Sequence, residues 1–311
     1  MGYSNYSRCD YFMLDYLPPE RGFLGLDADR CGAPEQAQAV IIPFGLERSV
    51  TYGGGTAQGP EAMLRASHQV ELFDEDLWSE PCFDYGIATL QAPIIADSLP
   101  VALEQLERTV EAVLARDRFP MTFGGEHSIT AAAIRPFAAR YRDLVVLHFD
   151  AHADLRDAYD GERFSHAAAM RRVLDFEHVT LVSLGIRNIS AEEVPFFEAN
   201  RHRIHIHWAR DRTRWALDEI LSLLDRRPVY LTFDLDGFDA SLMPATGTPE
   251  PGGLFWDDVM PIIRAAAQRG RIVGADVSEL APRPELHGCD FLAAKLAYKI
   301  LNFALADRPA A

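Results

Sequence analysis

The sequence predicts an α/β fold in which helices cover both faces of a mostly parallel β-sheet. Short apolar segments alternate along the chain with amphipathic segments of helical periodicity, which is typical of a parallel α/β sheet. Several of these segments are apolar throughout, as expected of strands buried between two helical layers. Ligands bind such sheets at the carboxyl ends of the strands, so polar residues directly after the apolar segments are candidates for function.

Seven apolar segments are predicted strands, and they occupy residues 40–43, 119–123, 144–149, 179–184, 204–207, 229–233 and 272–277. Helices are predicted near residues 102–116 and over residues 129–142, 214–227, 256–270 and 291–305, where the apolar residues recur with helical spacing. No Pro/Gly/Ser-rich linker, charge block or repeat interrupts the series. The sequence therefore predicts a single domain over residues 1–311, with residues 1–39 as an N-terminal extension packed on it.

The charge and cysteine content restrict the class of protein. The net charge is −16, whereas nucleic acids and anionic membranes bind basic surfaces, so neither is an expected partner. The four cysteines, Cys9, Cys31, Cys82 and Cys289, form no Cys-x-x-Cys pair, which favours free thiols in a reducing compartment. The N-terminus lacks the pattern of a signal peptide and no segment reaches transmembrane length. We expect a soluble, cytoplasmic protein.

Polar motifs follow four of the predicted strands. They are GGEHS at 124–128, DAHAD at 150–154, DLDGFD at 234–239 and SEL at 278–280. In the second motif Asp150, His152 and Asp154 alternate, so an extended chain would point all three side chains to one face. Their common position after strands predicts one site across the carboxyl edge of the sheet.

The candidate metal ligands are two imidazoles and four carboxylates: His127, Asp150, His152, Asp154, Asp234 and Asp236. This excess of oxygen donors suits Mn²⁺ or a similar divalent ion better than zinc in a thiolate site. Six side chains exceed what one ion with open positions needs, so two ions about 3.5–4 Å apart fit better. Each motif alone could instead be a turn or a helix cap; their joint occurrence at strand ends favours a metal site.

Two further residues are candidates for catalysis. His166 lies outside the ligand pattern and could shuttle protons beside a metal site. Spacing alone favours a structural alternative, in which His166 begins a helix capped by Ser165. Glu279 could hold a planar cation through two N–H bonds, or it could belong to an internal ion pair.

With these residues in view, the chain resembles the ureohydrolases, the arginase/agmatinase family. GGEHS at 124–128 resembles the first family motif, usually GGDHS, with Glu126 in place of Asp. DAHAD at 150–154 resembles the second, residues 232–254 the long third signature, and DVSELAP at 276–282 the fourth. The resemblance extends from about residue 40 to the C-terminus. Ala240 and Ala167 depart from a usual Pro and a common Gly, and neither departure removes a ligand.

The resemblance implies a three-layer α/β/α arginase-like fold with two Mn²⁺ per subunit. One ion would be held by His127, Asp150, Asp154 and Asp234, and the other by Asp150, His152, Asp234 and Asp236. A hydroxide between the ions would attack the guanidinium carbon, and urea and a primary amine would result. The resemblance also implies that Glu279 orients the guanidinium and that His166 relays protons to the leaving amine. Family members are usually trimers or hexamers, so a homo-oligomer is expected.

The segment 157–163 bears on the choice of substrate. It lacks the Asn and Ser with which arginases recognise the α-amino and α-carboxylate groups, and its acidic residues could attract a distant ammonium. We therefore predict that Asp157 and Tyr159 bind substrate, and that agmatine is hydrolysed to putrescine and urea. N1-aminopropylagmatine, giving spermidine, and 4-guanidinobutanoate are alternatives, and Arg163 could reverse the argument. A deacetylase-like enzyme with one zinc, or a non-catalytic polyamine sensor, would use the same fold.

Overall fold

A computed structural model, which describes residues 13–306, contains an eight-stranded sheet in which every strand pairing is parallel. The strands are β1 (Ala39–Phe44), β2 (Ile87–Thr89), β3 (Phe119–Gly124), β4 (Val145–Phe149), β5 (Thr180–Ile186), β6 (Ile204–Trp208), β7 (Pro228–Asp234) and β8 (Arg271–Ser278). Their order across the sheet is β2-β1-β3-β8-β7-β4-β5-β6.

Helices lie on both faces of the sheet. They are α1 (Gly59–Ser67), α2 (Cys82–Tyr85), α3 (Leu99–Leu114), α4 (Thr130–Ala133), α5 (Arg135–Arg140), α6 (Ala169–Val173), α7 (Val194–Ala199), α8 (Leu217–Ser222), α9 (Trp256–Arg269) and α10 (His287–Leu305). Alternate strand residues point to opposite faces, so Ile41 and Leu147 pack with α1, α2, α8, α9 and α10, whereas Val40 and Val146 pack with α3 to α7. The predicted α/β fold is confirmed.

All seven predicted strands are present, and the differences from the prediction are local. The edge strand β2 has three residues, which is too short to show a periodic pattern. The helix predicted over 129–142 is divided into α4 and α5, because Pro136 occupies the start of α5 and cannot donate a backbone hydrogen bond within a continuous helix. The helix predicted over 214–227 is confined to α8, and residues 209–214 before it form a 3₁₀ helix.

The N-terminal segment, from residue 13 to β1, consists of short 3₁₀ turns and contributes Phe23 and Leu26 to the core. Cys9 lies outside the described residues, and the three other cysteines are free thiols. Between residues 13 and 306, no helix is long and apolar enough to cross a membrane.

A buried ion pair joins the last helix to the segment that follows α1. The side chain of Lys299 on α10 is 1% exposed, and its ammonium lies 2.9 Å from Asp74, 3.0 Å from Glu75 and 2.7 Å from Asp76. Asn302, one helical turn further on, donates a hydrogen bond of 2.7 Å to the second carboxylate oxygen of Asp74. α10 is therefore attached by charge as well as by apolar packing.

Candidate active site

The polar motifs meet at the carboxyl edge of the sheet because the four strands that carry them are neighbours in the centre, in the order β3-β8-β7-β4. A cavity of about 700 Å³ opens over this edge. Its floor includes His152, Asp154, Asp234, Asp236 and Glu279. The position of the site follows from the topology, since parallel neighbours end side by side.

His127 is the centre of one group of candidate ligands. Its Nδ1 atom lies 3.0 Å from Asp154 Oδ2, 3.1 Å from Asp150 Oδ2 and 3.3 Å from Asp234 Oδ2. All four side chains are buried. Three strands thus contribute to a group whose donor atoms converge on one point.

A second group overlaps the first. Donor atoms of Asp150, His152 and Asp236 all lie within 4.8 Å of one another, and His152 Nδ1 is 3.0 Å from Asp236 Oδ2. Asp150 belongs to both groups, since its Oδ2 atom faces His127 and its Oδ1 atom lies 3.5 Å from His152 Nδ1. The six predicted ligands therefore form two adjacent groups that share a carboxylate.

The electrostatics of the groups indicate an affinity for cations. Burial opposes protonation of His127, but the carboxylates of Asp150 and Asp154 outweigh it and hold the imidazole pKa well above its ordinary value. Burial likewise opposes protonation of His152, but the carboxylate of Asp236 outweighs burial and raises the pKa of the His152 imidazole to about 12. Burial and repulsion from Asp236 and Asp150 raise the pKa of Asp234 well above its ordinary value. Buried carboxylates and imidazoles in this ratio fit a divalent cation of the Mn²⁺ type.

Unusual backbone conformations and close contacts between backbone segments position these side chains. Asp154 and Glu279 have positive φ angles, +52° and +67°, a backbone conformation that is uncommon for residues other than glycine. Gly125 passes so close to the preceding loop that a Cβ atom would lie 2.0 Å from the Leu46 carbonyl oxygen. Its own carbonyl accepts a hydrogen bond from the Glu279 N–H. These contacts fix the turn that presents His127.

His148 is a supporting residue that the sequence reasoning missed. It is fully buried in β4, with Nε2 2.8 Å from Asp150 Oδ2 and Nδ1 2.9 Å from Ser183 Oγ. Because the carboxylate can only accept, Nε2 carries the proton and Nδ1 accepts from the serine hydroxyl. The available signal was a histidine within an otherwise apolar strand.

Two other supporting contacts also lay outside the prediction. Nε2 of His127 lies 2.9 Å from Thr232 Oγ1, which in turn donates to the buried carboxylate of Asp276 at 2.7 Å. Arg187 donates to the backbone carbonyls of Gly185, Asp236, Gly237, Phe238 and Glu250. It thereby joins the end of β5 to the loop that carries Asp236.

His166 and Glu279 both face the cavity. The Oε1 atom of Glu279 accepts the backbone N–H of His127 at 2.7 Å, and burial raises the pKa of this carboxyl well above its ordinary value. His166 begins a short 3₁₀ helix, and Ser165 precedes that helix without capping it through its side chain. The imidazole Nδ1 instead lies 3.2 Å from Ser49 Oγ.

The two predicted substrate-binding residues lie in different environments. Tyr159 lines the cavity, with its ring edge-on to His166 at a centroid distance of 6.2 Å. Asp157 is not among the lining residues, and its carboxylate accepts a hydrogen bond from Arg172 at 2.7 Å. The other acidic residues of segment 157–163 do not line the cavity either, whereas Arg156 and Arg210 do.

Comparison with known proteins identifies the class of enzyme. A model of the arginase family matches residues 37–302. A Synechocystis sp. protein named N(1)-aminopropylagmatine ureohydrolase is 36% identical over 288 residues, covering 89% of this chain and 92% of that protein. An agmatinase of Bacillus subtilis is 31% identical over 80% of this chain and 85% of its own length. The crystal structure of agmatine ureohydrolase of Thermoplasma volcanium superimposes with a TM-score of 0.80 at 28% identity, covering 90% and 94% of the two chains.

The chain therefore belongs to the arginase family, as its motifs predicted. It is an agmatinase-like ureohydrolase, an enzyme that hydrolyses a carbon–nitrogen bond. The deacetylase and sensor alternatives are set aside.

Proposed function

We propose that the protein uses two Mn²⁺ ions per subunit to hydrolyse a linear guanidine with an amine tail, agmatine or N1-aminopropylagmatine, to urea and the corresponding amine. The observation that carries the proposal is the pair of ligand groups that share Asp150. His127, Asp150, Asp154 and Asp234 would hold one ion, and Asp150, His152, Asp234 and Asp236 the other. Ions bound there would polarise the substrate and lower the pKa of water.

Glu279 and His166 would act directly on the substrate. Because Oε1 of Glu279 is bound to the His127 N–H, Oε2, on the side of Gly247, would accept the guanidinium N–H groups. A cationic guanidinium beside it favours the ionised carboxylate. The His166 imidazole on the cavity wall would deliver a proton to the departing nitrogen, which leaves as a neutral amine.

The names of the relatives support the amine tail, and the size of the cavity bears on its length. The relative at 36% identity is named for N1-aminopropylagmatine, and a cavity of about 700 Å³ has room for the longer chain. Arg156 and Arg210 at the cavity are the observation that favours a second candidate, 4-guanidinobutanoate, with a carboxylate tail. Both arginines already have acidic partners, Glu192 at 3.0 Å and Asp211 at 3.7 Å, so we place the amines first.

The test is urea release by Mn²⁺-loaded protein on agmatine, N1-aminopropylagmatine, arginine and 4-guanidinobutanoate at equal concentration. We expect one of the two amines to dominate, two manganese ions per chain by elemental analysis, and loss of both metal and turnover in Asp150→Asn. Preference for 4-guanidinobutanoate would indicate that Arg156 and Arg210 bind the carboxylate tail of the substrate. One zinc ion per chain, or no urea from any of the four, would contradict the proposal.

We further propose a cytoplasmic homo-oligomer, a trimer or hexamer, built from single-domain subunits. Free thiols at Cys31, Cys82 and Cys289 fit a reducing compartment, and the oligomer is what the family resemblance implies. Light scattering of the purified protein measures the mass, and a value near 34.7 kDa would exclude the oligomer.

A further inference from the structure

We propose that Ser49 and Glu126 form a positioning pair that orients His166 and fixes which of its ring nitrogens carries the proton. The inference rests on the proposed function, because His166 matters only if it transfers a proton to the substrate. Ser49 belongs to the loop after β1, and Glu126 is the residue that replaces the usual Asp of the first motif. Neither residue is a candidate metal ligand.

Glu126 accepts four hydrogen bonds, three of them from the loop after β1 and one from Ser128 in its own motif. It is fully buried, and its Oε2 atom accepts the backbone N–H groups of Arg48 at 2.7 Å and Ser49 at 2.6 Å. Its Oε1 atom accepts the hydroxyls of Ser49 at 2.9 Å and Ser128 at 2.6 Å. Two of these donors are backbone N–H groups that cannot accept, so the carboxylate is used as an acceptor throughout.

The tautomer of His166 follows from counting protons. The Ser49 hydroxyl has one proton, and it points to Glu126. The backbone N–H of His166 donates to Ser49 Oγ at 2.9 Å, so this oxygen acts as an acceptor toward His166. The imidazole Nδ1 lies 3.2 Å from this oxygen and 3.4 Å from Ser165 Oγ, so we take the shorter contact with Ser49 as the hydrogen bond and assign the proton to Nδ1. In the neutral ring Nε2 is left without a proton, free to take one up and pass it to the leaving amine.

The length of the Glu126 side chain explains why glutamate occupies this position of the motif. It must reach both backbone N–H groups of the loop and the Ser49 hydroxyl, and Asp is one methylene shorter. The residue also adjoins His127, so one short segment presents a metal ligand and anchors the loop that orients the proton-transfer group. Orientation of a catalytic imidazole through a hydrogen-bonded partner governs its efficiency as an acid or base.

The matched variants are Ser49→Ala and Ser165→Ala. Ser165 Oγ also approaches His166 Nδ1, but at 3.4 Å, and within residues 13–306 its hydroxyl donates to no carboxylate. We expect Ser49→Ala to lower kcat roughly 10- to 100-fold, which is part of the 10²–10⁴ that a general acid or base supplies. KM and manganese content should stay near the wild-type values, Ser165→Ala should change kcat less than about threefold, and Ser49→Thr should recover most of the activity. Unchanged kcat in Ser49→Ala would overturn the proposal.

A double variant separates positioning from a general structural effect. In a His166→Ala background, Ser49→Ala should lower kcat no further, because its effect acts through the imidazole. An equal loss in both backgrounds would show that Ser49 acts on something else and would overturn the proposal.

The tautomer can be measured without turnover. In ¹⁵N-histidine-labelled protein loaded with diamagnetic Zn²⁺, the ¹H–¹⁵N pattern of His166, assigned by its loss in His166→Ala, should report a protonated Nδ1. Ser49→Ala should shift the pattern toward the other tautomer. A protonated Nε2 in the wild type would overturn the proposal. An absence of urea release with the expected NMR pattern would instead count against the proposed function alone.

Discussion

Removing the imidazole of His148 should weaken manganese binding without removing a ligand. The ring lies in the interior of β4, where its Nε2–H donates to Asp150, the carboxylate shared by the two ligand groups. His148→Ala leaves Asp150 free to rotate and takes away the donor that balances its charge. His148→Gln retains an N–H donor and should lie between the alanine variant and the wild type.

The size of the effect can be worked out from this contact. A buried hydrogen bond to a charged group contributes about 1.5–3 kcal/mol. Since about 1.4 kcal/mol corresponds to a factor of ten, the manganese Kd should rise roughly 10- to 100-fold. Residues that hold metal ligands in other proteins show losses of about 10- to 100-fold when replaced.

Isothermal titration of metal-free protein with Mn²⁺ measures the Kd, and urea release at saturating Mn²⁺ shows whether turnover returns. His178→Ala is the matched control, because His178 is partly buried and its Nε2 lies 3.0 Å from a backbone carbonyl away from the site. Circular dichroism verifies that each variant is folded. A folded His148→Ala protein whose Kd lies within twofold of the wild type would refute the reasoning.

Three further predictions concern stability and the turn at the site. Lys299→Met should lower the free energy of unfolding by about 3–5 kcal/mol in urea, because it leaves the buried carboxylate of Asp74 without its cation. Burial raises the pKa of Asp74, but hydrogen bonds from Lys299 and a neighbouring amide outweigh it and lower the pKa below 3.8. The stability that this carboxylate contributes is therefore present above pH 3.8 and is lost as the pH falls through the lower pKa of the folded state. The melting temperatures of the wild type and Asp74→Asn should consequently converge in acid. Gly125→Ala should abolish urea release and manganese retention, since its Cβ atom would collide with Leu46.

Each of these predictions has a control. Arg264→Met removes a partly exposed ion pair with Asp76 and should cost at most about 1 kcal/mol. If it costs as much as Lys299→Met, the burial argument fails. A Cβ atom at Gly288 would have no neighbour within 4 Å, so Gly288→Ala should keep full activity. A constant difference between the wild-type and Asp74→Asn melts down to pH 2 would contradict the linkage.

The sequence predicted the parts of the molecule that depend on local pattern. A buried parallel strand is visible as an apolar run, and the ligand motifs follow such runs directly, as Asp150 follows β4. The sequence alone could therefore predict that these ligands lie in one site at the carboxyl edge of the sheet. The edge strand β2 and the short helix α2 carry too few residues for a periodic signal.

The contacts that support the site could not be predicted in this way. Ser49 and Glu126 are 77 residues apart, and His127 and Thr232 are 105 apart, so only the packed sheet brings them together. The side chain of Asp157 shows the converse case. It is predicted to bind substrate, and the structure adds a contact that the sequence does not reveal, a hydrogen bond to its carboxylate from Arg172.

The strand order has a consequence for how the enzyme is made. β8 lies between β3 and β7, and β3 has no pairing with β7 or β4, so without β8 the sheet consists of two separate halves. His127 follows a strand of one half, and Asp150 and Asp234 follow strands of the other. Between residues 13 and 306, β8 is also the last strand, so His127 can join the ligands of the other half only after residues 271–278 have been synthesised. Such long-range closure slows folding, and a fragment that ends before β8 lacks the strand that brings His127 to Asp150 and Asp234, so the group of ligands around His127 stays incomplete.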